Sequence, residues 1–187
     1  MRAGLDITIL NGNPSENNRV FQDYINGLSD TLFMVGHFVE QIDLAKKEIK
    51  QCRGCWNCWV KTPGNCSLKD DMDIIYPKLL NCDLLIFASP IRMGFVSALL
   101  KRSMDRMIPL MMPYFRIINN EFHHSKRYKH YPTLGLLLEK DFTTDAEDLD
   151  IIKHIFQRTA LNFHSELKFS HLITDSEKEL INEINNL

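Results

Sequence analysis

The sequence predicts an α/β fold built on one parallel sheet, because short apolar segments alternate with amphipathic helical segments along the chain. Five strand-like segments are separated by helical or long loop segments, which are the connections that parallel strands need. The clearest strand, Asp83–Ala88, is apolar after its first residue, as expected for a strand buried on both faces. We therefore expect a five-stranded parallel sheet of order 2-1-3-4-5, covered by helices on both faces.

The individual elements follow from apolar periodicity and from the turn residues beside them. The first helix follows an Asn-rich turn and stops at Gly36, and the last opens on a Ser-x-x-Glu capping motif. The predicted strands are Leu5–Leu10, His37–Leu44, Asp83–Ala88, Thr133–Leu138 and Leu167–Ile173. The predicted helices are Arg19–Met34, Asp70–Asn81 (kinked or broken at Pro77), Ser97–Met107, Ala146–Phe163 and Ser176–Asn185. Residues 46–69 are expected to be a cysteine-rich loop and residues 109–132 an irregular excursion.

The composition is typical of one soluble globular domain over residues 1–187. Hydrophobic residues make up 44% of the chain and charged residues 25%, and the formal net charge is -2. We therefore expect no binding to nucleic acid or to an acidic membrane. The apolar run at the N-terminus is too short for a signal peptide or a membrane span, so a cytoplasmic location is expected. Five cysteines in a reducing compartment favour metal or redox chemistry over structural disulfides.

Four of these cysteines are clustered in one short segment. Cys52, Cys55, Cys58 and Cys66 follow the spacing C-x2-C-x2-C-x7-C. Close thiolates suit soft metals, and the compact run of the first three favours a [4Fe–4S] cluster. A zinc site normally has two separated cysteine pairs, so zinc is the weaker metal alternative. Free thiols, a disulfide or simple packing stay open, and Cys82 is expected to be a core residue.

The loops that leave strands 1 and 3 are the expected ligand site, because the strand order reverses between these strands and ligands bind at such a point. The first edge loop covers residues 11–18 and the second edge loop residues 89–94. The first opens onto a helix N-terminus, whose N–H groups and dipole favour a phosphate. The candidate phosphate-binding residues are Asn11, Gly12, Asn13, Pro14, Ser15, Asn17, Asn18 and Arg19. A plain loop with an Asn or Ser cap is the alternative.

Three stretches resemble the NAD(P)H-dependent FMN reductase superfamily, and within it the iron–sulfur flavoprotein branch. Asn11-Gly12-Asn13-Pro14 is similar to that family's Gly-Ser-Pro phosphate loop. The cysteine spacing, followed by Asp70-Asp71-Met72, is similar to the compact motif of the iron–sulfur branch. Ser89-Pro90-Ile91-Arg92-Met93-Gly94 is similar to the family's Ser-Pro-Val-Tyr-Phe-Gly loop. The chain departs from the family pattern at Asn13, at Asn18-Arg19 and at Arg92.

The resemblance implies a flavodoxin-like fold with FMN at the carboxyl edge of the sheet and NAD(P)H as its electron donor. The flavin ring would contact the second edge loop, namely Ser89, Pro90, Ile91, Arg92, Met93 and Gly94. The acceptor would be a flavin, a quinone or a protein, and no catalytic residue is expected because the flavin carries the chemistry. Family members build flavin sites near subunit interfaces, so a homodimer or homotetramer is expected.

Two other functional classes remain open at this point. The first is an iron–sulfur flavoprotein that acts as an electron carrier or redox-responsive protein and turns over little substrate itself. The second is a flavin-free module in which the cysteines bind structural zinc.

Other segments carry weaker expectations. Arg92 is hypothesised to stabilise the anionic reduced flavin, while Lys101, Asp105 and Arg106 are expected to be structural. Residues 123–131 are expected to be a surface excursion, with a lid over the flavin or a docking site for the nicotinamide phosphate as the alternative. Residues 139–144 would form a third wall of the flavin pocket by their position after strand 4.

Overall fold

The computed structural model describes residues 4–14 and 18–187, which form helical layers on both faces of a central sheet. The strands are β1 (Asp6–Asn11), β2 (Phe38–Asp43), β3 (Leu84–Arg92), β4 (Phe95–Val96), β5 (Met111–Ile118), β6 (Glu121–Lys126), β7 (Thr133–Glu139) and β8 (Leu167–Leu172). The helices are α1 (Arg19–Met34), α2 (Asn57–Val60), α3 (Met72–Asn81), α4 (Ala98–Asp105), α5 (Ala146–Asn162) and α6 (Glu177–Asn185). Single turns of 3-10 helix cover Leu44–Lys46 and Ile108–Leu110.

Five parallel strands form the sheet in the order β2-β1-β3-β7-β8. When only these strands are counted, this is the predicted order 2-1-3-4-5, so the flavodoxin-like fold is confirmed. The registers place Ile9 of β1 between Gln41 of β2 and Ile86 of β3. The point where the strand order reverses therefore lies between β1 and β3, as the sequence predicted.

Apolar side chains fill the space between the sheet and the helices on both of its faces. On one face, α1 and α6 bury Phe21, Leu28 and Leu180 against the sheet. On the other face, Phe156 of α5 packs edge-on against Phe87 of β3, with ring centroids 5.2 Å apart. Full burial of each large apolar side chain contributes about 1.5–3 kcal/mol, so these two layers supply most of the stabilisation.

The helix boundaries agree closely with the sequence predictions. α1 has the predicted bounds, and Ser176 caps α6 by accepting a hydrogen bond from the N–H of Glu179. α3 continues through Pro77, where the sequence had suggested a kink or a break. Among the described helices, none combines the length and the apolarity that crossing a membrane would require.

The prediction of an irregular excursion over residues 109–132 is wrong. Most of this segment is an antiparallel hairpin, in which β5 pairs with β6. The turn residues Asn119 and Asn120 both have positive φ, 51° and 64°, which suits the tight turn of a hairpin with right-handed twist. The hairpin is fastened to the end of α5, since the N–H of His124 donates to Oδ1 of Asn162 at 3.0 Å.

Two glycines, one in the sheet and one on the surface of a helix, provide a matched test of the packing around the central sheet. A Cβ atom at Gly135 of β7 would overlap the ring of Phe169 in β8, whereas a Cβ at Gly27 of α1 would meet no atom within 4 Å. We predict that Gly135→Ala lowers the free energy of unfolding by about 1–3 kcal/mol through overpacking. Gly27→Ala should raise it by about 0.5–1 kcal/mol, because alanine favours the helix. Urea unfolding followed by circular dichroism measures both, and equal effects of the two substitutions would contradict the packing described here.

Candidate functional site

The two edge loops are joined directly at the carboxyl edge of the sheet. The N–H of Gly12 donates to the carbonyl of Ala88 in β3 at 2.8 Å, and the hydroxyl of Ser97 donates to the carbonyl of Gly12 at 2.5 Å. Ser97 also caps α4 by accepting from the N–H of Leu100. The chain leaves β1 and β3 toward opposite faces of the sheet, and in this class of fold ligands bind outside the strand ends at such a point.

Asparagine side chains give the first edge loop its shape. Asn11 is fully buried; its Oδ1 accepts from the N–H of Asn13, and its Nδ2 donates to Gln22 at 2.8 Å. Nδ2 of Asn13 donates to the carbonyl of Asn18 at 3.1 Å. These amides, which the sequence offered as phosphate donors, are thus engaged in holding the loop. Ser15 and Asn17, two other predicted phosphate-binding residues, lie outside the described residues.

Gly12 is required by the packing of the loop. A Cβ at this position would lie 2.8 Å from Cβ of Leu100 in α4 and 3.0 Å from the Ser97 hydroxyl. No larger residue can bring the loop this close to α4, so a glycine is needed here whether or not a ligand approaches its backbone.

Asn18 connects the first edge loop to α1 and to the end of β7. Its Oδ1 caps α1 by accepting from the N–H of Phe21, and its Nδ2 donates to Oε2 of Glu139 at 2.5 Å. Pro14 and Arg19 are exposed beside it. The N-terminus of α1 therefore lies beside the end of β7, where its dipole favours an anion, and Arg19 adds an exposed positive charge at the start of the helix.

The second edge loop is a strand and a tight turn, not the open loop that the sequence predicted. β3 continues to Arg92 and pairs antiparallel with β4, so that Arg92 lies opposite Phe95. The turn residues Met93 and Gly94 have φ of 53° and 73°, as a two-residue hairpin turn requires. Met93 is 98% exposed at the tip. A Cβ at Gly94 would meet the carboxylate of Asp148 at 2.7 Å, so this position also needs glycine.

The predicted ring-contacting residues divide into buried and exposed groups. Ser89, Pro90 and Ile91 are buried, and the hydroxyl of Ser89 accepts from the N–H of Ser97 at 2.8 Å. Arg92 and Met93 are exposed, and Nη1 of Arg92 donates to the carbonyl of Ile91. The surface available to a flavin ring is therefore the turn and the backbone of the strand, while the buried side chains hold that strand in place.

The four clustered cysteines line one small cavity, together with Arg106 and Pro109. All four are free thiols; Cys52 and Cys55 are exposed, Cys58 is buried and Cys66 is half-buried. The segment is not wholly a loop, because α2 begins directly after Trp56. Among the residues that the structure describes, no group of three or more His, Cys, Asp or Glu side chains is arranged to hold a metal ion.

The environments of the thiols differ. The N–H of Asn57 and then the hydroxyl of Ser67, 3.7 Å from its sulfur, lower the pKa of Cys55. Burial, followed by the proximity of Cys66, raises the pKa of Cys58. Burial raises the pKa of Cys82 to about 11, and this residue packs in the core as predicted. The N–H donor to Cys55 is of the kind that stabilises a thiolate bound to a cluster.

A buried ion pair closes the base of the cysteine segment. The guanidinium of Arg106 binds both carboxylate oxygens of Asp70, at 2.6 and 3.1 Å, and donates to the carbonyl of Lys50 at 2.7 Å. Asp70 also accepts from the N–H groups of Lys50 and Met72. The two side chains are 1% and 0% exposed. Residues before Cys52 and after Cys66 are thus tied to one charge pair.

The sequence analysis expected a structural use for Arg106, which the ion pair with Asp70 bears out, but it did not separate this buried residue from the surface pair Lys101 and Asp105. That pair does form, at 2.5 Å, and both of its side chains are about half exposed. Arg106 follows Asp105 in sequence but turns inward. The Asp70-Asp71 pair that follows the cysteines was the available signal, because an acidic residue placed directly before a helix often serves as an anchor.

Stacked rings connect the cysteine segment to the β5–β6 hairpin. Trp56 stacks on Trp59 at 4.8 Å, Trp59 lies 5.1 Å from His124, and His124 lies 4.7 Å from Phe115. The indole N–H of Trp59 donates to the carbonyl of Met111 at 3.0 Å. The stack uses His124 as a packing residue in the histidine-rich segment 123–131, which agrees with a structural role for that segment.

The sequence profile of the family described as NADPH-dependent FMN reductase matches residues 5–124. The chain therefore belongs to the NADPH-dependent FMN reductase family. Within it, an iron–sulfur flavoprotein of Archaeoglobus fulgidus is 30% identical over 118 residues, which are 63% of this chain and 56% of that protein. An iron–sulfur flavoprotein of Methanocaldococcus jannaschii is 44% identical over 75 residues, 40% of this chain and 38% of that protein. The matched segment thus spans about half, or less, of these relatives.

Solved structures agree on the fold. An NAD(P)H:quinone oxidoreductase from Methanothermobacter marburgensis gives a TM-score of 0.63 at 16% identity, covering 97% of this chain and 93% of that one. An FMN-dependent NADH-azoreductase from Bacillus anthracis in complex with FMN gives 0.56 at 13% identity, covering 97% and 94%. At these identities the likeness concerns the fold, while the sequence matches confirm the predicted kinship with FMN reductases and with iron–sulfur flavoproteins.

The Asp70–Arg106 pair gives a prediction with a defined pH dependence. Burial alone would raise the pKa of Asp70, but the bonds from Arg106 and from the N–H groups of Lys50 and Met72 hold it below its usual range. The pair therefore stabilises the fold above the unfolded pKa of about 3.9 and loses this contribution as the pH falls through the folded pKa. We expect Asp70→Asn to lower the free energy of unfolding by about 3–5 kcal/mol at pH 7, because the substitution leaves Arg106 buried and unpaired.

Urea unfolding at pH 7 and at pH 3 checks this expectation. The difference in the free energy of unfolding between wild type and Asp70→Asn should become smaller at pH 3, where the wild-type carboxylate becomes protonated. Asp105→Asn, which breaks the exposed pair with Lys101, is the matched control and should change stability by less than about 1 kcal/mol. A difference that stays constant across this pH range would show that the charge of Asp70 is not what stabilises the segment.

Proposed function

We propose that the protein is an FMN-dependent oxidoreductase that passes electrons from NAD(P)H to a flavin, a quinone or a protein acceptor. The observation that carries this proposal is the direct joining of the two edge loops, through Gly12, Ala88 and Ser97, at the point where the strand order reverses. This is the position at which the fold offers a crevice to a mononucleotide, and membership of the FMN reductase family supports FMN as that ligand.

In this proposal the chain binds and orients the flavin. FMN, when bound, supplies the chemistry that accepts a hydride and passes electrons on. The N-terminus of α1 and the exposed Arg19 attract its phosphate, and the turn at Met93 and Gly94 supports its ring. Arg92 is proposed to stabilise negative charge on the reduced ring, so that Arg92→Gln would lower the flavin potential. No acid–base residue of the chain is required.

The four clustered cysteines are proposed to bind a [4Fe–4S] cluster. Two observations favour it: Cys52, Cys55, Cys58 and Cys66 line one cavity, and the hydroxyl of Ser67 lies 3.7 Å from the sulfur of Cys55. The donor set therefore fits a cluster held by four thiolates. Zinc is the weaker alternative, because a zinc site with four cysteine ligands normally has two separated pairs.

A second candidate function is that of an electron carrier or redox-responsive protein with little substrate turnover. The exposure of Cys52 and Cys55 favours it, since a cluster held there would lie at the surface and within reach of a partner protein. Assembly into a homodimer or homotetramer belongs to the same proposal and stands on the family resemblance. A cytoplasmic location is proposed with it, because a reducing compartment suits a cysteine cluster that binds metal.

The proposed cofactors are tested by an absorption spectrum of protein purified without oxygen, with iron and zinc assayed on the same sample. We expect the two-band spectrum of a flavin beneath a broad brown absorption, with about four irons per chain. A yellow, metal-free protein would contradict the cluster and leave the flavin. A colourless protein containing zinc would contradict both.

Cysteine variants separate the cluster from the flavin. Cys52→Ser is expected to lose most of the iron and to keep the flavin, because this residue lies in the cysteine segment and not in the edge loops. Cys82→Ser is the matched control and should keep both, since its thiol is buried in the core. Loss of iron from the Cys82 variant alone would contradict the assignment.

Turnover distinguishes the two candidate functions. We expect NADH or NADPH to be oxidised catalytically when FMN or a quinone is added, because the family resemblance implies hydride transfer to flavin. The decrease in absorbance at the nicotinamide band measures this rate for each nucleotide. Reduction by a small iron–sulfur donor protein, without nicotinamide turnover, would favour the carrier instead.

A further inference from the structure

One buried nitrogen atom beside the cysteine cavity has no hydrogen-bond partner. Arg106 lines this cavity together with the four clustered cysteines. Its terminal nitrogens Nη1 and Nη2 are engaged by Asp70, and Nη1 also donates to the carbonyl of Lys50. Its Nε is buried and has no partner within residues 4–14 and 18–187. A buried donor in this state carries a free-energy penalty, more so when it belongs to a charged group, so its partner needs to be identified.

The location of this nitrogen distinguishes it from other buried nitrogens without a partner. In the part of the chain that the structure describes, the same is true of a side-chain nitrogen in each of Gln41, Arg102 and His123. None of these three residues lines the cysteine cavity. Arg106 therefore combines an unused donor with a position in the wall of a candidate ligand site.

Arg106 is close enough to one of the thiols for their charges to interact. Burial alone would lower the pKa of Arg106, but its bond to Asp70 and the proximity of Tyr76 and Cys66 raise it. Arg106 is 1% exposed and Cys66 is half-buried. Solvent screens an interaction at such positions only weakly, so a negative charge on the sulfur of Cys66 would be felt by the guanidinium.

The chemistry of the donor limits what can complete it. A guanidinium stays protonated in proteins, so Nε can only donate and does so with a positive charge. A neutral thiol is a weak acceptor, whereas a sulfur that carries negative charge accepts a charge-assisted hydrogen bond. Cysteine sulfurs carry that charge when they bind metal, and an iron–sulfur cluster adds inorganic sulfides of the same kind.

We propose that Arg106 donates a hydrogen bond from Nε to a sulfur of the [4Fe–4S] cluster, either the thiolate of Cys66 or an adjacent inorganic sulfide, and thereby raises the reduction potential of the cluster. The proposal rests on the proposed function, because it assumes a cluster on the four cysteines. Reduction adds one negative charge, and a donor to sulfur stabilises the more negative state. Asp70 offsets much of the long-range charge of Arg106, so the effect depends on the local bond from Nε.

The experiment uses protein purified without oxygen in which every arginine carries ¹⁵N at Nε. Pulsed EPR of the chemically reduced cluster detects the magnetic coupling of a nitrogen that is hydrogen-bonded to a cluster sulfur, and a redox titration of the same samples gives the midpoint potential. Arg106→Lys keeps the positive charge and can still pair with Asp70, but it lacks the Nε–H group. Arg53→Lys is the matched control, because Arg53 also lines the cavity but is exposed.

We expect a ¹⁵N coupling in wild type and in Arg53→Lys, and none in Arg106→Lys. Loss of the bond should shift the reduction equilibrium about tenfold toward the oxidised cluster in Arg106→Lys, which is about 59 mV for a one-electron couple. Arg53→Lys should shift it less than about twofold, since solvent already surrounds that side chain.

Absence of ¹⁵N coupling in the wild-type cluster would overturn the proposal, even if Arg106→Lys fails to fold or to bind iron. Coupling that survives in Arg106→Lys, or an unchanged potential in a fully loaded Arg106→Lys, would overturn it as well. In each of these cases the cluster itself stands. Wild-type protein that binds no iron would instead contradict the cluster assignment, on which the proposal rests.

Discussion

The buried pair of Asp70 and Arg106 is the interaction on which the cysteine segment depends. A segment with so many turn residues and exposed side chains has little apolar surface to bury, so its position must be fixed by other means. The pair does this at one point, since Arg106 and Asp70 together bind both the N–H and the carbonyl of Lys50. Removing either charge would leave the other one buried, which is why the pair is costly to break although it was also costly to bury.

The same helix reaches both proposed sites. Ser97, which caps α4, binds the first edge loop, and Arg106, directly after the helix, binds Asp70 beneath the cysteines. α4 has eight residues and so spans only about 12 Å. The first edge loop and the cysteine segment are therefore held at opposite ends of one short helix. Any movement of α4 would displace both of them together.

The sequence predicted most of the fold because burial imposes a clear pattern on it. β7 and the first part of β3 are apolar where they are buried, and α1 repeats its apolar residues at helical spacing, so these elements were found, although β3 continues past its predicted end to Arg92. The β5–β6 hairpin was missed because its strands lie largely on the surface: exposed aromatic and charged side chains hide the alternation, and the Asn119-Asn120 turn is a weaker signal than Asn-Gly.

The candidate site was predicted in its location but not in its detail. The edge loops follow from strand order alone, whereas the partners of Asn11, Asn13 and Asn18 depend on contacts between residues far apart in sequence. Arg106 shows the same limit, because one residue separates an exposed ion pair from a buried one and no local pattern distinguishes them. Glu139 stood in the segment expected to form the third wall, but its bond to Asn18 is visible only in three dimensions.

The stacked tryptophans have a spectroscopic consequence. The chain contains two tryptophans, and both lie beside Cys58 in the same stack. All of its indole emission therefore arises next to the cysteine cavity, at one location in the molecule. An iron centre bound there would quench that emission by energy transfer, and loss of the iron would restore it. The two tryptophans thus report, without any added label, whether the cysteines hold an iron centre.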